Sequence, residues 1–109
     1  MKFKVRVLPF ARKDLLTAVA WLKERSARGA DRLADAFEKA VAEIVKDPQR
    51  FPLAVEDADV VVELRQYLFG TPHGRKHRIV FTIVGNEVRI LHVRGPGQNR
   101  IDPSHVRYE

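Results

Sequence analysis

The spacing of apolar residues changes its period once along the chain, and this change limits the folds that the chain can adopt. After a short alternating segment at residues 2–8, apolar residues recur at helical spacing between Pro9 and about Lys46. Beyond residue 59 they alternate with polar residues, as in strands that have one buried face. One strand, then helices, then further strands is the order expected of helices packed on an antiparallel sheet.

Turn-forming residues divide the helical part into two helices. The segment Ser26–Gly29 supplies a short turn with a glycine where a helix C-cap favours one. We therefore expect a first helix from Pro9 to about Arg25 and a second from about residue 30 to residue 46 or 47, just before Pro48. Because the connection is short, the two helices should pack as an antiparallel hairpin. Residues 48–59 show no period and should form a connection over the surface.

Three further strands are predicted at residues 60–69, 76–84 and 87–94. The tight turn at Gly85 and Asn86 joins the last two strands and is a strong hairpin signal. The predicted fold class is α+β, in the order β-α-α-β-β-β. The antiparallel helical hairpin should lie on one face of a twisted, mainly antiparallel four-stranded sheet. We expect a single domain over residues 1–109, with residues 95–109 as an irregular C-terminal tail.

Composition excludes several classes of protein. The chain has 109 residues, no cysteine and no apolar run of the roughly 20 residues that a membrane span needs. We therefore predict a cytoplasmic protein that makes no contact with a membrane. His73 and His77 are four residues apart, but Gly74 disfavours the helix that would align them. Arg75 and Lys76 would repel a cation, so we predict neither a metal nor another cofactor.

The positive charge is concentrated in one part of the chain. The basic residues of this part are Arg65, Arg75, Lys76, Arg78, Arg89, Arg94 and Arg100. The one acid among them is Glu87, so the segment carries +6, which equals the formal net charge of the whole protein. A basic sheet of this kind predicts an anionic partner, most naturally phosphate. The alternative is that the arginines only keep the sheet soluble and pair with Glu63 or Glu87.

Side-chain parity assigns residues of the predicted strands to the two faces of the sheet. We call the face away from the helices the far face. The predicted helix side holds Leu64, Leu68, Ile79, Phe81 and Ile83. The predicted far face holds Glu63, Arg65, Tyr67, Arg78, Val80, Thr82, His92 and Arg94. Arg65 and Arg78 would then be near neighbours on an open face, where two planar guanidinium groups suit phosphate oxygens.

The order of several segments resembles a known family. Residues 63–70, 78–83 and 88–94 together resemble the C-terminal half of the RelE/ParE superfamily of toxins from type II toxin-antitoxin modules. The first half is similar to the subset called plasmid stabilisation proteins, through the Ala20-Trp21-Leu22 helix, Phe37 and residues 48–53. The similarity extends over almost the whole chain and rests on the ordered set rather than on one motif.

The resemblance implies a small toxin that arrests growth and is neutralised by a cognate acidic antitoxin. RelE-type toxins cut mRNA in the ribosomal A site, whereas ParE-type toxins poison DNA gyrase. We favour the RelE type, a metal-independent endoribonuclease whose partners would be the ribosome and mRNA. The alternatives are a ParE-like gyrase inhibitor without nuclease activity, which the segment Gly95-Pro96-Gly97 suggests, and a degenerate member that only binds an antitoxin. The antitoxin should lay apolar residues along the helices or add a strand to the sheet.

The resemblance also suggests site residues. Arg78 and Arg65 match the family's third-strand and second-strand arginines, Arg94 or Arg100 its later basic position, and Tyr108 approximately its C-terminal tyrosine. The candidate catalytic residues are Arg65, Arg78, Arg94, His92 and Tyr108. The candidate RNA-binding or phosphate-binding residues are Arg75, Lys76, His73, His77, Tyr67 and Arg100. The arginines would stabilise the pentacoordinate phosphate, and a histidine, Glu63 or Tyr108 would transfer protons.

Overall fold

The computed structural model describes residues 2–59, 62–71, 74–96, 101 and 105–106, with the backbone alone at 58 and 59. The elements are β1 (Lys4–Val7), α1 (Pro9–Lys23), α2 (Ala27–Lys46), two short 3₁₀ turns (Pro48–Arg50 and Val55–Asp59), β2 (Arg65–Phe69), β3 (His77–Val84) and β4 (Glu87–Arg94). The α+β fold class and the order β-α-α-β-β-β are therefore confirmed.

The second helix begins earlier than the sequence predicts. Ser26 is its N-cap, and the Ser26 hydroxyl accepts the N–H of Gly29 at 2.9 Å. This hydrogen bond satisfies an N–H that the first turn of a helix leaves free, so Gly29 lies inside α2 rather than capping α1. The connection between the helices is correspondingly shorter.

The four strands form one mixed sheet in the order β1-β4-β3-β2. β1 runs parallel to β4, from the pair Lys4 and Glu87 to the pair Val7 and Ile90. The other two pairs of neighbouring strands are antiparallel, which confirms a mainly antiparallel sheet. β4 is central, and β2 and β1 are the edges.

The main core lies between the helices and the sheet. Its largest members are Leu33, Phe37, Ile44, Phe51, Phe69, Ile79, Phe81, Ile90 and Val93. Ile79 and Phe81 face the helices as parity predicts, and Ile83 packs at the margin of this core. The helical period of α2 explains its contribution, because residues three and four apart share one face of a helix.

The far face is covered by a second core, so the prediction of an open face is wrong. Val80 and Leu91 of the sheet pack there with residues from outside its strands. The residues from outside the strands are Leu8, Ala54, Leu64, Ile101 and Val106. Ala54 comes from the predicted surface connection, and Ile101 and Val106 come from the predicted irregular tail. Ala54, Ile101 and Val106 therefore belong to the packed fold.

β2 presents the opposite faces to those predicted. Tyr67 and Phe69 pack toward the helices, whereas Leu68 is 54% exposed on the other side. The strand begins at Arg65, and the N–H of Leu64 just before it donates to Asp57 Oδ1 of the second 3₁₀ turn at 2.9 Å. Apolar residues occur at both parities of this segment, so the pattern allowed either assignment. The aromatic residues occupy the deeper, helix-covered side.

β4 contains a bulge that lets it contribute to both cores. The β3–β4 register pairs Val80 with His92 but Phe81 with Ile90, so Leu91 is an extra residue. Ile90 therefore packs against the helices while Leu91 packs in the second core. β4 is therefore a central strand that is buried on both faces.

The packing of the tail yields a test of the second core. Ile101 is 2% exposed, so Ile101→Ala should lower the free energy of unfolding by about 2–5 kcal/mol through lost burial and a residual cavity. Leu16→Ala is the matched control, because Leu16 is 62% exposed and its replacement should change stability little. Urea unfolding measures both. Equal stability of the two variants would contradict the second core.

Candidate functional site

Arg78 is held by acceptors of its own chain. Its Nη1 and Nη2 donate to the two carboxylate oxygens of Glu56 at 2.6 and 2.7 Å, and Nη1 also lies 3.2 Å from Gln66 Oε1. The Glu56 carboxylate is fully buried, and the Arg78 side chain is 16% exposed. Glu56 Oε2 also accepts the N–H of Ile101 at 2.9 Å. One carboxylate thus joins the 3₁₀ turn after Ala54, strand β3 and the tail.

Glu56 is ionised in this environment. Burial by itself would raise the pKa of the carboxyl group, but the hydrogen bonds from Arg78 and from the Ile101 N–H outweigh it and lower the pKa to about 2. The bidentate geometry is the one in which guanidinium and carboxylate bind each other most strongly. The charge of Arg78 is therefore compensated inside the fold.

Arg65 lies on the other side of the sheet. The β2–β3 register places it opposite Phe81, which belongs to the main core, whereas Arg78 lies opposite Leu68. The prediction that Arg65 and Arg78 are neighbours on one face is wrong. The physical reason is the parity of β2, which follows Tyr67 and Phe69 into the main core.

The guanidinium of Arg65 also has partners. Its Nη1 donates to the Phe51 carbonyl at 2.5 Å, and its Nη2 donates to Glu63. In β4, Arg89 Nε donates to Glu87 at 2.6 Å. The pairing with Glu63 and Glu87 is the arrangement that the alternative interpretation of the basic segment predicted.

His92 is buried beside helix α1 and the tail. Its Nδ1 lies 3.1 Å from Asp14 Oδ2, and its Nε2 lies 2.9 Å from the carbonyl oxygen of His105. The ring of Phe10 stacks on the His92 ring with 5.3 Å between the centroids. Arg94 is half-buried and lies opposite Arg78 in the register. Both residues lie on the far face, where the second core covers the sheet.

The remaining candidates are spread over other places. Tyr67 lies in the main core margin, with its ring 4.8 Å from that of Phe51, so it does not line the far face. His77 begins β3, and burial lowers the pKa of its imidazole while a hydrogen bond with the Arg75 backbone acts in the opposite direction. The Arg75 and Lys76 side chains are exposed. The candidates His73, Arg100 and Tyr108 lie outside the described residues.

A groove opens where the helical hairpin meets the ends of β3 and β4. Its volume is about 740 Å³. Ala18, Trp21, Leu22, Leu33 and Val93 form an apolar floor. Lys13, Arg32, Arg75 and His77 also line it, together with Asp14, whose carboxylate is engaged by His92 and the Val93 N–H. A smaller groove of about 400 Å³ continues between α2 and the β2 edge.

Sequence reasoning missed two acids that organise these sites. Glu56 was one acid among several in a segment without a period, and Asp14 lay on a helix without a predicted role. Their partners are far away along the chain, at separations of 22 and 78 residues. Alternating polarity marks a face, but it carries no signal for such pairs.

Within the described residues, no group of three or more histidine and acidic side chains could hold a metal ion. Among the helices that the structure describes, none is long and apolar enough to cross a bilayer.

Residues 5–99 match the model of the ParE toxin of the type II toxin-antitoxin system parDE. The chain belongs to the ParE toxin family. This confirms the resemblance to the RelE/ParE superfamily, and membership of the ParE family implies an antitoxin partner. No curated protein matches the sequence.

The buried ion pair between Glu56 and Arg78 generates a prediction for Glu56→Gln. The glutamine keeps the shape but places an NH₂ donor among donors, so the variant should lose about 3–5 kcal/mol of unfolding free energy. Because the folded pKa of Glu56 lies below its ordinary value, its stabilisation is present above that value and is lost as pH falls toward about 2.

Chemical unfolding measured at several acidic pH values tests both statements. The wild type should lose stability steeply on acidification, and Glu56→Gln should show a shallower dependence. Glu43→Gln is the control, because Glu43 makes exposed ion pairs with Lys46 and Arg50 and its loss should matter little. An unchanged pH profile in Glu56→Gln would contradict the role of Glu56.

Proposed function

We propose that this ParE toxin arrests growth by binding and inhibiting DNA gyrase, rather than by cutting ribosome-bound mRNA. The observation that carries the proposal is the separation of Arg65 and Arg78 on opposite faces of the sheet. Metal-independent RNA cleavage needs several groups around one phosphate, with cations beside the developing charge. The two arginines that the nuclease hypothesis required to converge do not meet.

The state of each arginine supports the same proposal. To bind a phosphate, Arg78 would have to leave Glu56, which would then be a buried carboxylate without its cation. Breaking a buried pair in this way costs about 3–5 kcal/mol. Arg65 would have to leave the Phe51 carbonyl and Glu63. The guanidinium groups of Arg65 and Arg78 are both engaged by acceptors within the protein and are not free to bind a phosphate ligand.

The second core supplies a further argument. Leu64, Val80 and Leu91 fill the far face beside Arg78, and Ile101 and Val106 cover it. An RNA chain that reached Arg78 would have to displace these apolar side chains. A toxin that acts by binding another protein needs no such opening.

The proposal predicts the outcome of two assays on the purified toxin. At micromolar concentration the protein should inhibit supercoiling by gyrase, because binding to gyrase does not require a phosphate-cleaving centre. It should leave mRNA in the ribosomal A site intact. Cleavage of A-site mRNA together with unaffected supercoiling would overturn the proposal, and the same protein preparation serves both assays.

The groove is the proposed site of the antitoxin. Its apolar floor and its cations fit an acidic, amphipathic segment that folds on binding. Trp21 is 55% exposed at the groove, and large amphipathic aromatic residues of this kind commonly anchor partners. Charge complementarity adds to this, because Lys13, Arg32 and Arg75 surround the opening.

Charge reversal in the groove tests this assignment. The double change Arg32→Glu and Arg75→Glu should weaken binding of an antitoxin encoded beside the toxin by about tenfold or more, through repulsion of its acids. Arg28→Glu is the control, since Arg28 is exposed one turn earlier on α2 and does not line the groove. Calorimetric titration measures the affinities. Equal weakening by both changes would indicate a general charge effect and contradict the assignment.

A further inference from the structure

The Arg25 side chain holds Trp21 at two points. Its guanidinium stacks over the Trp21 ring, with Cζ 3.7 Å from the ring centroid. Its Nη1 also donates to the Trp21 carbonyl at 2.9 Å. A continued helix would give this carbonyl the backbone N–H of Arg25, but that N–H donates to the Leu22 carbonyl instead, at 2.9 Å. The Arg25 side chain therefore takes the place of a helical hydrogen bond and covers the ring of the same residue.

Arg25 covers part of the indole without closing the groove. Trp21 lines the groove beside the helical hairpin, whereas Arg25 does not. A guanidinium stacks on one face of a ring, and Trp21 is still 55% exposed. Glu24 lies 3.8 Å from Arg25, but both side chains are more than half exposed, so this ion pair competes little with the stacking. The indole is thus supported by Arg25 and open to the groove.

We propose that Trp21 is the anchor on which the antitoxin packs an apolar side chain, and that Arg25 is a positioning residue that holds the indole in place before binding. This inference rests on the proposed antitoxin site in the groove. A freely moving side chain loses rotamer entropy when a partner immobilises it, and a side chain that is already held loses less. Tryptophan is also enriched among the residues whose truncation costs an interface the most affinity.

The surroundings of Trp21 fit an acidic, amphipathic segment. Ala18 and Leu22 continue the apolar floor beside the indole, so an apolar side chain that packs on Trp21 is shielded from water. Lys13 and Arg32 line the same groove, and both side chains are exposed. Acids that flank the apolar side chain of the partner can pair with these cations.

Fluorine nuclear magnetic resonance of the whole toxin tests the anchor directly. Trp21 is the only tryptophan of the chain, so fluorine-labelled tryptophan gives the toxin a single fluorine resonance. Addition of the unlabelled antitoxin encoded beside the toxin should shift this resonance, because the indole leaves water on binding. A resonance that is the same in the free toxin and in the complex would overturn the proposal.

Calorimetric titration with the same antitoxin measures the contribution of each side chain. Trp21→Ala should weaken binding by about 30-fold or more, and Arg25→Ala by about two- to tenfold. Leu16→Ala and Lys23→Ala are the matched controls. Leu16 is an exposed apolar residue of α1, Lys23 is an exposed cation at the end of α1, and neither lines the groove. Both controls should leave the affinity unchanged.

A double-mutant cycle separates positioning from direct contact. If Arg25 acts through the indole, Arg25→Ala should have no effect on the affinity once Trp21 is replaced by alanine. An equal loss with and without the indole would mean that Arg25 contacts the antitoxin itself or supports the fold, and would overturn the positioning role.

The outcomes also distinguish the anchor from the groove assignment. Full affinity in Trp21→Ala, together with weakened binding in the Arg32→Glu and Arg75→Glu double change, would overturn the anchor and leave the groove as the antitoxin site. Full affinity in both variants would overturn the groove assignment and the anchor together.

Discussion

The hydrogen-bonded ion pair of Glu56 with Arg78 is the interaction on which the second half of the structure depends. The Glu56 carboxylate neutralises Arg78 on β3 and accepts the N–H of Ile101. Through these bonds, a turn that has no regular period of its own is fastened to the sheet and to the tail. Because the pair is buried, removal of one partner alone would leave an uncompensated charge in an apolar layer, whereas an exposed pair would contribute little. The second core forms around this fixed point.

The second core changes the meaning of the basic segment. A half-open basic sheet would be a surface for phosphate, but here the far face is packed and its best-placed arginine is satisfied by an internal carboxylate. In the described part of the basic segment, the exposed cations are Arg75, which lines the groove beside the helical hairpin, and Lys76, which lines the smaller groove. Binding of an acidic protein segment suits such a groove better than phosphate chemistry does. The bulge at Leu91 contributes to the packing of the far face, because it lets β4 supply side chains to both cores.

Much of the fold follows from local patterns. The helical period of residues 9–46 and the hairpin turn at Gly85 identified the elements, and Ile79 and Phe81 were correctly assigned to the helix side. The candidate site was less predictable. Arg65 was placed on the wrong face because β2 is apolar at both parities, so a count of alternating residues had two equally good answers. Only one of these two assignments of the β2 faces places Tyr67 and Phe69 in the main core.

By itself, the sequence determined the order of the elements and the resemblance to a toxin family. Each depends on residues that are close together in the sequence or on the order of segments, and both can be read directly from the sequence. Only the tertiary structure decided which arginines are available. The partners of Arg78 and His92 lie 22 and 78 residues away, and a hydrogen bond between distant segments leaves no periodic trace. The basic charge was visible in the sequence, whereas the pairing of Arg78 with Glu56 is a property of the folded chain.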